Sequence, residues 1–123
     1  MNFPRRILPA ALLLAAAPVS AQPARGPNGG VLASEHGHVY ELVISGTTAT
    51  MFLMDGSQPM SSRGAQGRLM VQSGGQTSHV TLRAVAPNRL EGTLAAAPGA
   101  GARVVFTAQL GDGHRLQGRF VLE

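Results

Sequence analysis

Residues 102–122 read ARVVFTAQLGDGHRLQGRFVL, and their alternation sets the fold class. Val104, Phe106, Ala108 and Leu110 occupy every second position, among Arg103, Thr107 and Gln109. An extended chain sends successive side chains to opposite faces, so this run packs one face and leaves the other in water. After Gly111-Asp112-Gly113 the alternation restarts, with Leu116, Phe120 and Leu122 on one side and Arg115, Gln117 and Arg119 on the other. Glycine and aspartate suit the tight turns that reverse a strand, which predicts an antiparallel hairpin here.

Working outward, the same rhythm recurs about every ten positions. Residues 68–72 and 77–85 form a predicted hairpin through Ser73-Gly74-Gly75-Gln76, with Val80, Leu82 and Ala84 inward and His79, Thr81 and Arg83 outward. Residues 89–95 are expected to pair with 102–110 through Pro98-Gly99-Ala100-Gly101, and earlier strands are expected at 31–34, 38–45 and 48–55. The longest connection, residues 56–67, holds Pro59 and Gly56, Gly64 and Gly67, and its length suits a crossover between two sheets. No segment beyond the first 21 residues shows a helical period. The expectation is an all-β fold, a small antiparallel two-sheet β-sandwich of about seven or eight strands.

Residues 1–21 read as an export signal. Arg5 and Arg6 precede an apolar run over 7–17, and Val19-Ser20-Ala21 supplies a small-residue cleavage site. The run is too short to span a bilayer and contains Pro9. The arginine pair fits either the general secretory or the twin-arginine route. A Pro/Gly-rich leader, residues 22–30, then precedes a single domain over 31–123, which implies a periplasmic or secreted chain with no membrane span after cleavage. With no cysteine, neither a disulfide nor a cysteine-borne lipid anchor is available. The formal charge of +4 includes Arg5 and Arg6, and the other arginines are scattered in sequence among six acids. No basic cluster with interleaved aromatics stands out, so nucleic acid is not an expected partner. Every basic residue is arginine, which reads first as genomic composition.

Enzymatic chemistry finds little purchase. There is no nucleophile-elbow pattern, and the six acids are dispersed rather than paired, so no catalytic residue is expected. Metal chemistry is the sharper possibility. Glu35, His36, His38 and Glu41 surround the start of a strand, and imidazole with carboxylate suits zinc or copper(II). Residues 36 and 38 share one side of an extended strand, whereas Gly37 equally permits a turn in which both histidines are merely solvated. His79 and His114 stand alone in sequence. Methionine offers soft sulfur for copper(I). With Met51 and Leu53 inward, Phe52 and Met54 point outward, and Met70 opposes Leu69 and Val71. Phe52, Met54, Met60 and Met70 then form a candidate interaction surface near the long connection. The competing reading is that methionine fills gaps in a core poor in aromatics.

Several short motifs together resemble a family of small exported β-sandwich proteins. They are Gly26-Pro27-Asn28-Gly29-Gly30, Glu41-Leu42-Val43, Asp55-Gly56 followed by Pro59, Gly64-Ala65, Ser73-Gly74-Gly75 before Val80-Thr81-Leu82, Asn88-Arg89-Leu90 and Gln117-Gly118-Arg119-Phe120. That family is similar to a small domain of periplasmic adaptor subunits in heavy-metal efflux systems. The resemblance implies a non-enzymatic periplasmic accessory in metal tolerance or efflux, binding copper or zinc, with His36 or His38 as the histidine that members carry before Glu-Leu-Val. The alternative it allows is a metal-free interaction module that docks on an efflux adaptor or another envelope protein.

Overall fold

The computed structural model describes residues 25–123. The expected signal, residues 1–21, and leader residues 22–24 lie outside that range. The described residues form nine strands and no helix: β1 (Val31–Glu35), β2 (His38–Ser45), β3 (Thr48–Asp55), β4 (Gln58–Pro59), β5 (Gln66–Ser73), β6 (Gln76–Val85), β7 (Arg89–Thr93), β8 (Arg103–Gln109) and β9 (Arg115–Val121). All ladders are antiparallel. The all-β expectation therefore stands, and five of the expected strand positions before residue 86 reappear within a residue or two.

Turn chemistry explains the pairing of consecutive strands. The β5–β6 turn is Gly74-Gly75, with φ of 60° and 80°. Two successive positive values make the mirror-image turn whose twist matches a hairpin. Between β8 and β9, Gly113 N–H donates to the Leu110 carbonyl at 2.9 Å and Leu110 N–H to the His114 carbonyl at 2.8 Å. The Gly111-Asp112-Gly113 loop is thus a three-residue reversal that ends in a glycine at φ 94°.

The strands join in one continuous sheet, in the order β1-β2-β3-β7-β6-β5-β8-β9, with β4 paired to the end of β3. This differs from the expected two separate sheets, and β7 is the reason. Residues 89–95 do not pair with 102–110. Instead β7 is bonded to β3 along Thr48–Phe52 and to β6 along Arg83–Val85, while β8 pairs with β5. Gly92 allows this fit, since a Cβ there would lie 2.5 Å from the Thr81 carbonyl oxygen and 2.8 Å from a Val80 methyl. Leu94 then turns inward, its N–H bonded to the Thr47 carbonyl, and residues 95–101 carry the chain away to β8.

The expected crossover at 56–67 is also different in kind. Its first residues form β4, and Ser62, fully buried, pins the rest to the β6–β7 turn. Ser62 Oγ donates to the Val85 carbonyl at 2.9 Å, and Ser62 N–H to the Pro87 carbonyl at 3.0 Å.

The sheet curls until β1 packs against β9, so the molecule is nearly a barrel. Alternate residues of every long strand fill its interior, among them Leu42, Met51, Leu53, Leu69, Leu82, Leu90, Val104 and Phe106. Small barrels alternate large and small inward residues to fit the taper. Here Gly118 faces Tyr40, and a Cβ at 118 would stand 2.9 Å from the ring. Tyr40 cannot retreat, because Phe106 packs edge-on to it with centroids 5.2 Å apart. Gly118→Ala is therefore expected to destabilise the fold by about 1–3 kcal/mol through overpacking. Urea unfolding should show a lower midpoint at unchanged slope. An unchanged midpoint would mean that the core yields freely here.

Candidate functional site

The β1–β2 hairpin positions the residues that the sequence singles out. Glu35 pairs directly with His38, which leaves His36-Gly37 as a two-residue turn. Their φ values are 53° and 83°. His36 is thus held in the left-handed region, unusual for a residue with a side chain but tolerated by histidine better than by branched residues. Its place at the turn tip separates it from His38, and the two are not alternate residues of one extended strand.

His38 also pairs across β3 with Asp55. Glu35, His38 and Asp55 consequently occupy one row across three strands, with the His36 turn beside it. In sequence Asp55 stands beside Gly56 and a turn, with nothing to link it to His38. Only the register, in which Ser45 meets Thr48 and the pairing counts back evenly, brings it level with His38. Among the described residues, no three histidine, aspartate or glutamate side chains converge closely enough to share an ion.

Glu41 does not join that row. It lies on the opposite face of β2 from Tyr40 and Leu42 and is 2% exposed. The turn over residues 26–30 covers it. Gly29 N–H donates to the Gly26 carbonyl and Gly26 N–H to that of Gly30, each at 3.0 Å, which closes a three-residue reversal led by Pro27. Into this turn Glu41 offers its two oxygens. Oε2 accepts from Asn28 N–H at 2.9 Å and from Gly30 N–H at 2.8 Å, and Oε1 accepts from the Asn28 side-chain amide at 2.9 Å. A Cβ at Gly26 would sit 2.3 Å from the carboxyl carbon, so only glycine fits. Three of its lone pairs are thus committed, two to backbone N–H groups and one to the Asn28 side chain. Arg25 reinforces the turn by donating to the Gly29 carbonyl, and it pairs with Glu123 at the far end of the described chain.

Tyr40 links the hairpin to the core. It is 1% exposed, with the His38 ring 6.4 Å away. Burial, then the negative charge of Glu35, pushes its phenol up to about 12, while a backbone hydrogen bond at Gln117 opposes the rise.

The four residues expected to form an apolar surface are dispersed. Phe52 and Met54 share the outer face of β3, where Phe52 lies between Glu41 and Arg89 and Met54 between Val39 and Pro59. The Asn88 amide reaches the Met54 sulfur at 3.7 Å. Met70 lies on β5, beyond β7 and β6, beside His79 and Val105. Met60 packs against the core. A cleft of about 560 Å³ opens between the connection after β4 and the β6–β7 turn, and Arg63 is the one ionisable residue on its walls.

What the sequence scatters, the sheet sorts. Residues 31–62 contain no arginine and carry Glu35, Glu41 and Asp55. The outer faces of β6, β5, β8 and β9 carry Arg83, Arg68, Arg103, Arg115 and Arg119 and no acid. No protein-family model, curated protein or solved structure matches the chain.

Two outcomes test this geometry. Glu41→Ala strands two backbone donors and one amide, and is expected to cost about 3 kcal/mol in urea unfolding. Glu41→Gln should recover little, because its amide would face donors. Second, the raised phenol keeps a proton that the unfolded chain loses above its ordinary value of 10.0. Stability is then full below pH 10 and falls as pH rises from about 10 to about 12. Tyrosinate absorbance reads this directly, because Tyr40 is the only tyrosine. Glu35→Gln should lower the midpoint, and an unmoved midpoint would detach Glu35 from Tyr40.

Proposed function

We propose that the protein is an exported, non-enzymatic accessory that binds a charged envelope partner through the outer faces of its barrel. One observation carries this reading: the outer positions of four adjoining strands hold Arg68, Arg83, Arg103, Arg115 and Arg119 and no acid. No salt bridge to these five arginines occurs among the described residues; the pairs present are Arg25–Glu123, Arg89–Glu91 and His114–Asp112. Clustered like charge costs self-repulsion, which a complementary partner would relieve. The interior supports a binding role over a catalytic one, since it is filled by aliphatic and aromatic side chains. A heavy-metal efflux adaptor is one partner that the sequence resemblance suggests.

The mature chain mixed with whole envelope material, membranes and soluble proteins together, should bind at low ionic strength. It should release as salt shrinks the screening length from about 10 Å at 0.1 M to about 3 Å at 1 M. Arg68→Gln, Arg103→Gln and Arg119→Gln combined should abolish retention. Salt-insensitive binding, or equal retention of this variant, would sink the reading.

A second reading, an exported copper or zinc accessory in metal tolerance, comes from the sequence resemblance, and the row of Glu35, His38 and Asp55 with His36 alongside would have to draw together to hold an ion. Calorimetric titration with copper(II) and zinc should then give a Kd below about 10 micromolar, worth roughly 7 kcal/mol. His36→Ala with His38→Ala should remove it. Absence of heat at that level would dispose of the metal role.

A further inference from the structure

The register of β6, β5, β8 and β9 lays sixteen outward residues in four rows. The first row is Arg83, Gln66, Gln109 and Arg115. The second is Thr81, Arg68, Thr107 and Gln117. The third is His79, Met70, Val105 and Arg119, and the fourth is Thr77, Gln72, Arg103 and Val121. With strands about 4.8 Å apart and alternate residues about 6.7 Å apart, the array spans roughly 15 by 20 Å. All sixteen are exposed except Met70 and Val105, which are half-buried. Acids enter only at the margins, Glu91 opposite Arg83 on β7, Asp112 in the β8–β9 turn and Glu123 two residues past Val121, and each has its own partner, Arg89, His114 and Arg25.

The apolar members are contiguous. Met70 and Val105 are cross-strand neighbours, and Val121 lies diagonally beside Val105. Val121 is 53% exposed, the one large hydrophobic side chain so exposed among the described residues. Arg68, Arg103 and Arg119 flank this patch on three sides.

We propose that this outer face docks on an anionic lipid surface, with the arginines on headgroup phosphates and Met70, Val105 and Val121 against the acyl boundary. The inference rests on the reading of the protein as a module for a charged partner, and it names that partner. Charge complementarity is the first argument. Guanidinium groups are weakly hydrated and grip phosphate through two parallel hydrogen bonds, so an all-arginine face suits phosphate better than an ammonium array would. Shape is the second. The charges extend in both directions over a four-strand surface and do not follow a single line, as a track for a linear polymer would. Composition is the third. None of the sixteen residues is Phe, Tyr or Trp, so the face lacks the stacking platforms with which proteins hold single-stranded nucleic acid. An apolar patch rimmed by long cationic side chains is instead the arrangement that sits in a lipid interface.

The probe is co-sedimentation of the mature chain with phosphatidylglycerol–phosphatidylcholine vesicles and with phosphatidylcholine vesicles alone. Binding to the anionic vesicles only, weakened by salt, is expected. From about 1 kcal/mol per arginine near an anionic surface, the triple variant Arg68→Gln/Arg103→Gln/Arg119→Gln should bind roughly a hundredfold more weakly. Val121→Ser should weaken binding without changing its salt dependence. Circular dichroism and the Tyr40 titration verify that each variant is folded, and Arg63→Gln, off the face, should bind as wild type. Equal binding to neutral vesicles, an unaffected triple variant, or tighter binding to an acidic polysaccharide than to vesicles would overturn the assignment. If whole envelope material retains the protein in an arginine-dependent way while anionic vesicles do not, the lipid partner falls and the broader binding role stands.

Discussion

The double pairing of β7 is the constraint on which the rest of the molecule depends. Its five residues pair with β3 on one edge and three of them, Arg89, Leu90 and Glu91, with β6 on the other, and so splice the meander before residue 60 to the strands after residue 65. Without that splice the chain would have two small sheets with four open edges, each a row of unsatisfied backbone groups. With it, the sheet runs on through β9 and curls back to β1. Gly92 makes the splice sterically possible, and fully buried Leu90 makes it favourable by placing an apolar side chain inside. Ser62 then ties the connection after β4 to the β6–β7 turn, bracing the splice from outside.

Closure divides the residues of each strand into two populations with different obligations. Those pointing inward must fill a space of fixed taper, hence Gly118 against Tyr40 and Gly67 against Leu82 and Leu90. Most of those pointing outward carry no packing duty, Glu41 under its turn being an exception, and their chemistry is set by stability against water or by what they meet. Every basic residue of the chain is arginine, wherever it falls, so the choice of arginine over lysine marks no one face. Placement does, because the outer positions of four consecutive strands in the sheet hold five arginines and no acid. A surface chosen only for solubility mixes its signs. The proposed contact with a charged partner is the reading that such a one-signed face supports.

Much of the fold was legible because the strands alternate strictly and their turns carry glycine where positive φ is needed. Residues 38–45 and 48–55 emerge as expected, and so does the reversal at Gly74-Gly75. Nonlocal pairing was not legible. Alternation says which side of a strand is apolar and nothing about which strand lies next to it, so β7 was assigned to its neighbour in sequence, β8. The same blindness hid the basic face: Arg68, Arg83, Arg103 and the Arg115–Arg119 strand are separate along the chain and come to share one face only through the β5–β6, β5–β8 and β8–β9 ladders. It also hid Asp55, whose relation to His38 is one of register alone.

Glu41 shows how a residue's chemistry can be spent on structure. An ionised carboxylate at 2% exposure is costly to bury, and here the cost is met by three donors, two of them backbone N–H groups of a turn that has no strand to bond to. The turn and the carboxylate each answer a need of the other: the donors would be orphaned without the anion, and the anion would be unsolvated without the donors. Two motifs that stand eleven residues apart in sequence, the glycine-rich turn and the Glu-Leu-Val strand, are therefore one structural unit. A group so fully committed cannot also serve an ion without dismantling the turn. The row of Glu35, His38 and Asp55 lies on the other face of β2, where side chains remain half-buried or exposed and their donor atoms are not consumed by the fold.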